Sequence, residues 1–92
     1  MNKMSKVECE GISFFHRIDY LTSQIDDSRH CHDAFEIIFV ASGKGDHLIE
    51  DARIEMKPRS VLIIKPFEHH CVKFSSECIY DRYVIKFSPS AL

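Results

Sequence analysis

A chain of 92 residues with 12 Lys and Arg against 14 Asp and Glu has room for one folded core, and no basic stripe to hold a nucleic-acid backbone by itself. Apolar residues at 45% and charged residues at 28% exclude an intrinsically disordered chain. The longest purely apolar runs are four or five residues, and MNKMSKVECEG at the start lacks a signal peptide's apolar stretch, so a soluble cytoplasmic protein without membrane contact is expected.

The predicted elements are strands. In chain order they are ISFFHRIDYL (12–21), FEIIFVAS (35–42), DHLIE (46–50), ARIEM (52–56), SVLIIK (60–65), HCVKF (70–74) and YDRYVIKF (80–87), all short and rich in β-branched and aromatic residues. Turn chemistry separates them: SGKGD at Ser42–Asp46, the acidic pair Glu50–Asp51, KPRS at Lys57–Ser60 and KPFE at Lys65–Glu68. Each turn is of hairpin length, which predicts neighbouring strands in an antiparallel sandwich or barrel. Ile54 and Met56 alternate as on a half-buried strand, whereas Val61–Ile64 is apolar on both faces and demands cover on both, from a second sheet or a second subunit. Only the terminal SPSAL reads as a helix start, with Ser88 as cap and Pro89 at the first helical position. No repeat or linker divides the chain, so residues 1–92 are expected to form a single domain.

Cys9, Cys31, Cys71 and Cys78 show no CxxC spacing, and free thiols acting mostly as small buried hydrophobes are expected. Cys31 and Cys71 adjoin histidines, which raises the idea of activated thiolates, although both are expected to point outward from separate strands.

The chemistry-bearing residues concentrate in two places. In RHCHDAFEIIFVASG, Arg29–Gly43, strand parity puts His30, His32 and Glu36 on one face. In KPFEHHCVKF, His70 shares parity with Val72 and Phe74 and is the better inward candidate, while His69 shares it with Cys71 and Lys73. Two or three neutral imidazoles with one carboxylate suit a divalent transition metal (Zn, Ni, Mn or Fe); the alternative is histidines hydrogen-bonded to Glu36 and water without metal. His16 and His47 have no patterned partner and read as surface or satisfied histidines.

With these residues laid out, the sequence resembles a cupin. The first cupin motif, HxH followed by Glu and Gly, has its counterpart in His30, His32, Glu36 and Gly43 with the spacing kept, although Gln24 stands where a glycine is usual six residues upstream. More closely, HCHDAFEIIFVASGKG, MKPRSVLIIKPFEHH and YVIKFSPSAL are similar, in order, to the N-terminal cupin domain of AraC-family transcription regulators, over about His30–Leu92. Arg59 replaces the usual turn glycine, so that turn is expected to adopt a conformation open to a side chain. Glu68 stands where metal-binding cupins commonly have glycine; counting from Pro66 puts His70 in the regulator register and Cys71 in the enzyme register.

The resemblance implies an all-β fold, the double-stranded β-helix or jelly roll. It implies a ligand-sensing and dimerising domain that binds a small effector, and a divalent metal, through His30, His32, Glu36 and His70. It further implies a homodimer, no catalysis, and DNA contact only through helix-turn-helix units that this chain does not contain. The alternative from the same residues is a small metal-dependent cupin enzyme of the dioxygenase or isomerase type. A purely structural dimerisation domain is a third reading.

Overall fold

The computed structural model describes residues 3–21 and 30–91. Arg29, Gln24 and Leu92, named above, lie outside them. Eight strands, β1 (Lys3–Cys9), β2 (Ile12–Leu21), β3 (Phe35–Ser42), β4 (Gly45–Ile49), β5 (Ala52–Glu55), β6 (Ser60–Ile64), β7 (His70–Phe74) and β8 (Cys78–Phe87), are followed by a single 3₁₀ turn at Pro89–Ala91. The expected helix start is thus one tight turn, closed by the Ala91 amide donating to the Ser88 carbonyl at 3.0 Å.

All pairings are antiparallel, in a five-stranded sheet of order β1-β2-β8-β3-β6 and a three-stranded sheet of order β5-β4-β7. This is the jelly-roll sandwich expected, but the turns do not all work as expected. Only Glu50–Asp51 closes a predicted hairpin, between β4 and β5. The SGKGD, KPRS and KPFE turns each carry the chain from one sheet to the other. Turn residues specify a reversal, not which sheet receives the returning strand. β1 has no predicted counterpart, because all seven of its residues are exposed and none of its polar positions had to alternate with a buried one.

The core between the sheets is built from Ile38, Val40, Ile49, Met56, Ile64, Phe74, Tyr80 and Val84. Alternation in β3 sends Glu36, Ile38 and Val40 inward. At one level of the sandwich Asp19 is buried, with Arg82 Nη1 2.6 Å and Arg17 Nε 3.1 Å from its carboxylate, and the Arg82 guanidinium lies over the Tyr80 ring.

Three further expectations change. Val61–Ile64 is covered on one side only: Ile64 is buried, whereas Val61 and Ile63 are 59% and 61% exposed on the outer face. Cys71 is buried, not outward, and Cys9 and Cys31 are exposed; all four cysteines are free thiols. Arg59 keeps a left-handed backbone, φ 64°, and its amide donates to the Val40 carbonyl at 2.6 Å. The turn has retained the glycine conformation with a Cβ in it, held by the bond to β3. Arg59→Gly is therefore expected to raise stability by about 1 kcal/mol, read as an increased denaturation midpoint at unchanged m-value.

Candidate metal centre

His30 and His32 precede β3 and do not belong to a strand, so their convergence does not come from the parity expected of them. It comes from the backbone of KPFEHH, to which they are clamped. His30 and His70 exchange amide–carbonyl bonds at 3.0 and 2.8 Å, and the Phe67 amide donates to the His32 carbonyl at 2.7 Å. Phe67 takes a left-handed conformation, φ 66°, to make that reach. Register supplies the rest: Glu36 faces Ile64 on one side and Lys86 on the other, pointing inward from β3.

The three rings of His30, His32 and His70 cluster with centroids 4.3 to 5.7 Å apart, and one nitrogen from each lies within 4.8 Å of the other two. Glu36, 4% exposed, sits beside two of them: its carboxylate is 3.5 Å from His32 Nε2 and 3.5 Å from His70 Nε2. The four residues named from the sequence are thus together at one end of the sandwich. Cys71 is one residue along β7, on the opposite parity, and does not join the cluster. Exposed Cys31 lies outside it as well. His69 is on the surface, near Glu50.

His70 carries the test of whether an ion fits. Its Nδ1 is 3.0 Å from the Glu68 carbonyl, which can only accept, so the proton of the neutral ring resides on Nδ1. Nε2 is then a buried lone pair with no hydrogen-bond partner, facing a carboxylate oxygen. Two acceptors turned towards each other in a buried place are favourable only with a cation or proton between them. The two Glu36 separations of 3.5 Å match the spacing of neighbouring ligands around a tetrahedral ion, about 3.3–3.5 Å for bonds of 2.0–2.1 Å, whereas the three ring nitrogens, within 4.8 Å of one another, would draw closer around an ion. The three imidazoles are a donor set for Zn, Ni, Mn or Fe, with the Glu36 carboxylate beside two of them and the Glu68 carbonyl orienting one ligand from behind.

Lys86 was not anticipated. It projects inward from β8 and places Nζ 3.2 Å from Glu36 Oε1. Its ammonium compensates the buried carboxylate, and it would compete with a metal for that oxygen. The His32 pKa is lowered from 6.5 by burial first and by Lys86 second, with Glu36 opposing, so the ligating neutral form persists to lower pH.

His47 is also inside, contrary to expectation. It is 4% exposed on β4, opposite Val72 and Ile54, and its Nε2 is buried without a partner. The expected satisfied histidine is His16, whose Nε2 is 2.6 Å from Asp81 and whose ring stacks on Tyr83. Burial lowers the His47 pKa from 6.5, more than Asp46 raises it. A histidine that protonates less readily folded than unfolded leaves stability intact above about pH 6.5 and removes it as pH falls from there towards the lowered folded value. Chemical denaturation between pH 7.5 and 5 should show this loss, and His47→Gln should flatten the slope.

The fold and site define a cupin-type barrel. Over residues 16–92 the sequence matches the family model described as AraC-like ligand binding domain, and the chain belongs to that family. No curated protein matches it. Solved structures share the fold. The cupin domain of Cnp3 from Schizosaccharomyces pombe has a TM-score of 0.81 at 11% identity, over 98% of this chain and 63% of that one. A cupin superfamily protein from Desulfitobacterium hafniense has 0.78 at 10% identity, over 96% and 78%. The DMSP lyase DddQ from Ruegeria pomeroyi has 0.78 at 14% identity, over 96% of this chain but only 47% of the lyase. The chain thus spans less than two thirds of the Cnp3 and lyase chains.

Proposed function

We propose that this chain is the sensor and dimerisation domain of an AraC-type transcription regulator, working in the cytoplasm without catalysis of its own. It binds a small effector, and a divalent metal, at His30, His32, Glu36 and His70. DNA contact belongs to a helix-turn-helix domain outside residues 1–92, which form one cupin domain. The family match over residues 16–92 carries the regulatory reading. For the metal, the support is the unpartnered His70 Nε2 facing Glu36 at 3.5 Å. Sensing then requires an effector or ion that binds two states of the domain with different affinity.

Dimerisation finds its support on the outer face of the five-stranded sheet. The strand registers align Val7, Phe14, Ile85, Ile37 and Ile63 in one apolar row that crosses all five strands. Val7, Phe14 and Ile63 in that row, with Ile12, Tyr83 and Val61 beside it, are exposed. An apolar row on an outer face supports this reading, because exposed apolar side chains gathered together favour a partner surface over scatter.

The test fuses the chain to a DNA-binding domain that represses a reporter only as a dimer. Repression is expected, with its loss in Phe14→Glu combined with Ile63→Glu. A fusion that is folded and fails to repress would contradict the reading.

A further inference from the structure

Among the described residues, β1 is the outermost strand of the five-stranded sheet and pairs with β2 on one side only. Its seven residues keep an unbroken register with β2, and all seven are exposed. Such an edge presents a row of backbone amides and carbonyls to solvent, a template for another strand. Proline and bulges, which blunt edges elsewhere, are absent from KMSKVEC, and its lysines are the remaining guard. One of these, Lys6, is already offset by an acid of the same strand, with Nζ 2.6 Å from Glu8 Oε1.

The order of those charges distinguishes between registers. A second copy of β1 meets this edge antiparallel about a two-fold axis normal to the sheet, which sets one residue opposite its own counterpart. Opposite residues share a face, so like charges there repel and unlike charges attract. An axis at Lys3, Lys6 or Glu8 sets a charge against itself, and an axis at Met4 or Ser5 pairs no opposite charges. With the axis at Val7, Lys6 faces Glu8 of the second copy and Glu8 faces its Lys6, so two opposite-charge pairs form at once. Val7 also ends the apolar row that runs through Phe14, Ile85, Ile37 and Ile63, and this axis sets the rows of both copies end to end on one side of the joined sheet.

We propose that β1 is a self-association edge, at which two copies pair antiparallel over Ser5 to Cys9 with Val7 on the axis and Lys6 of each against Glu8 of the other. Backbone hydrogen bonds hold the strands together, and the exposed charge pairs set the register more than the strength. This contact joins copies side by side, whereas the outer face joins them back to back, so it neither needs nor blocks that face. It is also independent of the His30, His32 and His70 cluster.

The test is disulfide trapping with oxidised glutathione in the whole chain, after Cys9→Ser and Cys31→Ser remove the exposed thiols. Directly opposite residues have Cβ atoms about 4.5–5.5 Å apart, close enough for a disulfide after a small adjustment. In that background Val7→Cys should form a linked dimer at least about tenfold faster than Ser5→Cys, whose thiols lie about 13 Å apart along the paired strands. Adding Lys6→Glu or Glu8→Lys to Val7→Cys sets like charges opposite each other and should slow linking at least about fivefold. An equimolar mixture of these two charge variants should recover the rate as mixed dimers, because each lysine again meets a glutamate. Both variants have lost the ion pair within the strand, so recovery can come only from pairs between copies. The proposal is overturned if Ser5→Cys links as fast as Val7→Cys, if neither links, or if the mixture is as slow as its components. Neither reporter repression nor metal content is read here, so failure is distinguishable from failure of the proposed function.

Discussion

His70→Ala is expected to weaken Zn²⁺ binding by more than about a hundredfold in a competition titration with a chromophoric chelator, while His69→Ala leaves it unchanged. The two histidines are adjacent in sequence and similar in chemistry, so the contrast isolates geometry. His70 is buried, has its proton fixed on Nδ1 by Glu68, and aims a lone pair at Glu36. His69 is more than half exposed and sits 3.8 Å from Glu50 on the surface. Truncating the first removes a donor that is already oriented, whereas truncating the second removes a solvated ring. Lys86→Met should act in the opposite sense on affinity, since the ammonium 3.2 Å from Glu36 Oε1 no longer competes for that oxygen. Equal effects of His70→Ala and His69→Ala would show that the buried cluster is not where the ion goes.

Gly45→Ala carries the largest expected cost to folding. Gly45 opens β4 and pairs with Phe74 on β7. A Cβ there would overlap the Lys73 carbonyl oxygen and lie 2.8 Å from the Phe74 Cα, both backbone atoms of the paired strand. Side chains can turn away from an intruding methyl, but a paired strand cannot do so without giving up its ladder. We expect a loss of about 3 kcal/mol or more, which in a domain of this size lowers Tm by more than about 12 °C. Gly11→Ala provides the comparison: the added Cβ meets only the Ser88 and Ala91 side chains, at 3.2 and 3.7 Å. That change should cost about 1 kcal/mol, chiefly from its left-handed backbone, with the Ser88 side chain yielding slightly to the added methyl.

The strands after β1 were readable from their β-branched and aromatic content, and parity from Glu36 in FEIIFVAS picks the buried side of β3. In HCVKF, by contrast, both His70 and the oppositely directed Cys71 are buried, and in ARIEM Ile54 is exposed while Met56 is buried beyond the end of β5. The sheet assignment was not readable, since SGKGD, KPRS and KPFE look like hairpin turns whether the next strand returns to the same sheet or the opposite one. For the site, residue types and spacing sufficed to name His30, His32, Glu36 and His70. Strand parity was the wrong reason for His30 and His32, which are aligned by backbone bonds to Phe67 and His70 across a distance in sequence that no local pattern encodes. Lys86 escaped notice for a related reason: a lysine in YVIKF reads as solvated until β8 is known to lie beside β3, opposite Glu36. His47 escaped because inward parity on β4 gives a buried position without saying whether a partner awaits it.

The central claim is a metal centre built from the three imidazoles of His30, His32 and His70, with Glu36 beside two of them, in a sensor domain. Elemental analysis of native protein, purified without an affinity tag or added metal and set beside His32→Ala prepared in the same way, tests it most directly. One divalent transition-metal ion per chain in the native protein, lost in His32→Ala, is the predicted result. Native protein that is free of metal, and whose stability is unchanged by a chelator and by added Zn²⁺, Ni²⁺, Mn²⁺ or Fe²⁺, would contradict it.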